Sequence, residues 1–185
     1  MSDPGSEGES WRGIPRIFWS FEADAPFAKC QICGNALAQS ASGYLIEKAL
    51  KDGEVLFEHA VCRGCRGSLE GEISQESQAR IRAYFEENLD EFAFALTGEG
   101  LPDWEACLQD CLVKKRPARP GEVRNVYAIC EGAGMAFPPP PFMLCGEALE
   151  EITARLSAKT RGFLDGYMGE HFGPPAAARP LYVPV

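Results

Sequence analysis

The chain has 185 residues, 45% hydrophobic and 24% charged, which suits one folded domain or a small module fused to a second unit and argues against wholesale disorder. Its formal net charge of −9 disfavours a general nucleic-acid binder, which needs basic charge to meet phosphate. The charge is uneven: residues 67–111 carry eleven acids against two bases, whereas 112–124 carry Lys114, Lys115, Arg116, Arg119 and Arg124 against Glu122 alone.

Residues 1–13 are rich in Gly, Ser and Glu and read as a disordered tail. They lack the basic-then-apolar pattern of a secretory signal, and no apolar run reaches the roughly 18 residues of a membrane span. A cytoplasmic, non-membrane protein is expected, with its eight cysteines reduced or bound to metal and not paired as disulfides. Ile14 to Phe21 is apolar enough to pack on the body as a strap.

Gly43–Leu50 and Val55–Val61 read as the strands of a hairpin, because Asp52-Gly53 between them favours the left-handed dihedrals of a tight turn. Ser74 is a natural N-cap for a helix to about Leu96, with Ile81, Tyr84, Phe85, Leu89, Phe92 and Leu96 on one apolar stripe. Gly98 and Gly100 end that helix. Pro102 opens a shorter one that places Trp104, Cys107, Leu108, Cys111 and Leu112 on one face. A strand is predicted over Val126–Cys130. The prolines between Phe137 and Phe142 exclude helix and central strand, and the flanking phenylalanines favour a segment pinned to its own core. Two helices complete the pattern, about 146–156 and 158–172, the second capped by Ser157. No internal repeat is evident beyond two cysteine pairs.

Those pairs, Cys30-Gln31-Ile32-Cys33 and Cys62-Arg63-Gly64-Cys65, flank the hairpin. Two short turns that each offer two thiolates match the tetrahedral preference of structural zinc. The spacing, with Gly34 after the first pair, resembles zinc-ribbon and treble-clef modules over residues 27–69. That resemblance implies a structural Zn2+ held by Cys30, Cys33, Cys62 and Cys65. Cys30, Cys33, His59 and Cys62 form an alternative set, similar to the first half of a LIM domain; no second half follows, which favours four cysteines. Arg63 and Arg66 are placed to offset the excess thiolate charge, or else to contact phosphate.

Cys107, Cys111, Cys130 and Cys145 match no metal-knuckle spacing and read as packing residues. Catalysis by Cys130 or Cys145 would need a base, for which His171 is the remaining histidine. No serine elbow, phosphate loop or paired-carboxylate motif stands out. The expected fold is α+β: a small β-hairpin zinc module over 14–72, packed on a mostly helical part over 73–173 with one or two strands, then a Pro/Ala-rich tail over 174–185. The expected function is a zinc-binding adaptor or regulator that engages a protein partner. The alternatives are a nucleic-acid-associated factor using Arg63, Arg66 and the 114–124 stretch, or an enzyme with a site in the C-terminal half.

Overall fold

The computed structural model describes residues 10–11, 13–39, 43–89, 103–136 and 139–172. The tail before residue 10, the helix beyond Leu89 with its glycine stop, and the tail after Phe172 lie outside the described residues. In chain order the elements are β1 (Ser10–Trp11), a 3-10 turn (Arg16–Phe18), β2 (Tyr44–Lys51), β3 (Glu54–Cys62), α1 (Arg63–Glu72) and α2 (Gln75–Asn88). There follow α3 (Trp104–Cys107), β4 (Arg124–Glu131), β5 (Gly134–Ala136), β6 (Phe142–Cys145), α4 (Gly146–Arg155) and α5 (Ala158–Phe172). The architecture is mixed α+β.

Asp52 and Gly53 both take positive φ, 49° and 88°, as the two-residue turn between twisted strands requires. The hairpin they close is not an isolated ribbon. β2 pairs with β3 on one side and with β4 on the other, so the strand order is β1-β5-β4-β2-β3, with β6 also on β4. Every pairing between these strands is antiparallel; the one parallel bridge among the described residues joins Cys111 to Met143 of β6. Seven consecutive residues of β2, Tyr44 to Leu50, are buried, so both faces of this central strand are covered. Among the described residues the C-terminal part contributes three strands, more than the one or two expected. β5 and β6 are three and four residues long, too short for alternation to reveal them in sequence.

Two buried charges lie within β2. Glu47 accepts from Tyr127 Oη at 2.9 Å and from Asn125 Nδ2 at 2.7 Å, which meets the demand of a carboxylate removed from water. Lys48 pairs with Glu58 at 3.0 Å and donates to the Trp19 carbonyl at 2.6 Å. Glu58 in turn accepts the Phe21 amide at 2.8 Å. The Ile14–Phe21 strap is thereby fastened to the hairpin, with Phe18 fully buried beneath it.

α1 was not legible in the sequence: Arg-Gly-Cys-Arg-Gly-Ser-Leu-Glu-Gly-Glu has three glycines and buries no residue. α2 begins at Ser74, whose Oγ accepts the Ser77 amide at 3.2 Å, and buries Ile81, Tyr84 and Phe85. α3 is shorter than its apolar pattern suggested, ending at Cys107. Beyond it the Leu112 amide donates to the Met143 carbonyl at 2.8 Å, so contact with the sheet overrides the local helical periodicity. Pro140 and Pro141 are buried, and Phe142 stacks on Tyr127 with ring centroids 4.8 Å apart. Among the described residues no helix is long and apolar enough to cross a membrane.

Candidate metal centre

The first cysteine pair forms a tight turn before the hairpin. The Gly34 amide donates to the Cys30 carbonyl and the Cys30 amide to the Asn35 carbonyl, both at 2.8 Å. Gly34 has φ 73°, a left-handed value that a side chain would resist. The second pair lies where β3 becomes α1: Cys62 is the N-cap and Cys65 lies in the first turn. Pairing of β2 with β3 brings these two ends of the segment together.

The result is a cluster in which the sulfurs of Cys30, Cys33, Cys62 and Cys65 all lie within 4.8 Å of one another. Zn–S bonds of about 2.3 Å set at tetrahedral angles place sulfurs about 3.8 Å apart. The Cys33 and Cys62 sulfurs are 3.8 Å apart. The donor set and its spacing therefore fit a soft divalent ion.

Backbone amides serve these sulfurs. Burial raises the Cys30 thiol, but amides of Cys33, Cys62 and Ile32 outweigh it and bring the pKa down to about 7. The Cys62 amide is 3.4 Å from the Cys30 sulfur. Without a cation, burial foremost and then the neighbouring sulfurs oppose ionisation of Cys65 and push its thiol well above the ordinary range. A bound dication would relieve that opposition. The positive end of α1 also points toward the cluster.

The guanidinium of Arg66 is committed to Glu70 at 3.0 Å, while Arg63 lines a shallow cleft of about 440 Å³ beside Gly43, Tyr44 and Glu131. From the C-terminal half, Tyr167 on α5 faces the cluster: burial foremost, then Cys65 and Cys30, raises its hydroxyl to about 12.

His59 is not part of the cluster. It is buried in β3, with Nε2 3.5 Å from Glu47 and its ring 5.1 Å from that of Phe57. Burial pushes its pKa down to about 3, so the imidazole is neutral.

The other four cysteines do not converge on one point. Cys130 pairs across from Tyr44, whereas Cys145 pairs with Arg124 at the opposite end of β4, about 20 Å away at the rise of a strand. His171 packs on Tyr167, with ring centroids 4.5 Å apart. Burial raises the Cys130 thiol to about 12 and the Cys145 thiol to about 11, the reverse of an activated nucleophile. Cys111 does meet Cys145, whose amide donates to its sulfur at 3.3 Å. That pairing spans 34 residues and left no sequence signal.

Within the basic stretch, Lys114 and Arg116 are held in ion pairs. Lys114 lies 2.5 Å from Glu151, and Arg116 lies 3.0 Å from Glu122 and 2.7 Å from Glu147. No protein-family model matches this chain, and neither a curated protein nor a solved structure matches it.

Proposed function

We propose that Cys30, Cys33, Cys62 and Cys65 hold one structural zinc ion in a treble-clef-like module, and that the protein is a cytoplasmic adaptor or regulator engaging a protein partner. The observation that carries the zinc assignment is the mutual approach of four sulfurs within 4.8 Å. The order of parts supports the module type: a cysteine turn with Gly34, a hairpin, then a helix carrying the second pair in its first turn. Four thiolates complete a tetrahedron, so such a centre stabilises a fold and does not activate water.

The raised Cys130 and Cys145 thiols favour a binding role over thiol catalysis. Ion pairing of Lys114 and Arg116 leaves less positive charge to meet nucleic acid, which favours a protein partner.

Metal analysis of protein purified under reducing conditions should return about one zinc per chain, falling to none in Cys65→Ser. A native pull-down with the intact protein should recover a stoichiometric protein partner that Cys65→Ser fails to retain. Metal-free, fully folded protein would overturn the zinc assignment. Salt-sensitive binding to a nucleic acid in place of a protein would overturn the adaptor role.

A further inference from the structure

The side chains of the two halves differ, yet their backbone hydrogen bonds repeat. The Cys30 amide donates to Asn35 O at 2.8 Å, and the Cys111 amide to Arg116 O at 2.7 Å. The Gly34 amide returns to Cys30 O, and the Lys115 amide to Cys111 O, each at 2.8 Å. Gln31 donates to Ala60 in β3 at 3.1 Å, and Leu112 to Met143 in β6 at 2.8 Å. Gly34 and Lys115 both have left-handed backbone, φ 73° and 52°. The turn at Cys111 is thus the same turn as that at Cys30, with a lysine at the glycine position.

The parallel continues downstream. Cys62 ends β3 and caps the ten-residue α1; Cys145 ends β6 and caps the ten-residue α4. Cys62 lies opposite Tyr44, the first residue of β2, and Cys145 lies opposite Arg124, the first residue of β4. The amide of each donates to the turn sulfur of its own half, Cys62 to Cys30 at 3.4 Å and Cys145 to Cys111 at 3.3 Å. Ser74 follows Cys62 at the same chain distance as Ser157 follows Cys145, and each accepts the amide three residues on at 3.2 Å.

The halves meet along β2 and β4, whose antiparallel pairing about Glu47 and Tyr127 is a local two-fold. Their last helices are exchanged. Tyr84 on α2 lies near Glu151 and Cys111 and carries the Arg155 guanidinium 4.3 Å from its ring, while Tyr167 on α5 lies near Cys65 and Cys30.

We propose that the chain is one cysteine-turn module duplicated, and that Cys111, Lys114, Cys145 and Ala148 form a relict second centre able to take zinc once its two missing thiols are restored. Lys114 stands at the place of Cys33, three residues after the turn cysteine. Ala148 stands at the place of Cys65, in the first turn of the helix. The Lys114 ammonium supplies the positive charge there, 2.5 Å from Glu151 and 3.4 Å from Glu147. Arg116 extends the network to Glu122 and Glu147. A lysine held by carboxylates secures the turn to α4 without an ion.

This inference rests on the zinc assignment of the first centre, and one assay separates the two. Full-length wild type and K114C/A148C are loaded with zinc, and metal per chain is measured. The expected result is a gain of about one equivalent in the variant, read as an increment whatever the wild-type value. A wild type without metal would sink the first assignment alone. A folded variant with no increment overturns the duplication-derived site. Should the double variant fail to fold, Lys114→Cys alone leaves buried Ala148 untouched and supplies three thiolates. It is expected to take one extra cobalt(II) with thiolate-to-metal charge-transfer absorption, and a folded K114C that takes none also overturns the proposal.

Discussion

Ser74 and Ser157 lie 83 residues apart in sequence, and their hydroxyl oxygens are 3.1 Å apart. Each caps its own helix, and each receives help from the other. The Ser74 amide donates to Thr160 Oγ1 at 3.2 Å, and the Ser157 amide donates to Ser77 Oγ at 2.9 Å. In an ordinary capping box the third helical residue returns to its own N-cap; here it serves the partner helix. Ser77 and Thr160 are both fully buried, so no water competes for these bonds.

Replacing either cap should therefore cost more than a surface cap does. Ser74→Ala and Ser157→Ala are each expected to lower stability by about 1–2 kcal/mol. Because they share partners, the double variant should lose measurably less than the sum, in urea melts compared as a double-mutant cycle. Strict additivity would mean that the two caps act independently.

Metal withdrawal should unravel the protein unevenly. α1 buries no residue, and Cys62 as its N-cap and Cys65 in its first turn tie its start to the sulfur cluster. β2 and β4 are buried in the shared core. Chelation is expected to release amide protons of Cys30, Gly34 and α1 to rapid exchange while those of β2 and β4 stay protected, as followed by hydrogen exchange. Equal loss throughout would show that the centre and the sheet fold as one unit.

The Arg116 network gives a pH dependence with a definite sign. Arg116 foremost, against a smaller burial effect, holds the Glu122 carboxyl down to about 2 from an ordinary 4.5. A depressed carboxyl stabilises the fold above its unfolded pKa and loses that contribution as pH falls. The stability difference between wild type and Arg116→Met should therefore be constant above about pH 5 and shrink between 4.5 and 2. Denaturant midpoints at matched metal content test this, and a difference that grows on acidification would contradict it.

Tyr127 ties β4 to the buried Glu47 carboxylate at 2.9 Å. Tyr127→Phe keeps the ring stacked on Phe142 but withdraws one donor from a group with almost no access to water. The expected cost is about 1–3 kcal/mol with metal content unchanged. Calorimetry paired with zinc analysis separates that local loss from damage to the centre.

The local devices were readable from the chain. Cysteine pairs three residues apart, Asp52-Gly53 at a turn, and Ser74 and Ser157 before apolar stripes each act over a few residues, so their residue types specify their geometry. The helix at 63–72 was hidden because it rests on Cys62 and Cys65 at its start and on no apolar face of its own.

What the sequence determined unaided was where the chain turns, where most helices begin and which cysteines come in ligand-spaced pairs. Only the tertiary structure decided that β2 joins β4, that α2 and α5 exchange neighbours, and that Cys111 meets Cys145 in a second turn of the same design. Antiparallel pairing between distant strands follows from burial on both faces and leaves no periodic mark. A repeat preserved in backbone hydrogen bonds survives the replacement of glycine by lysine and of cysteine by alanine, because those bonds use atoms that every non-proline residue carries.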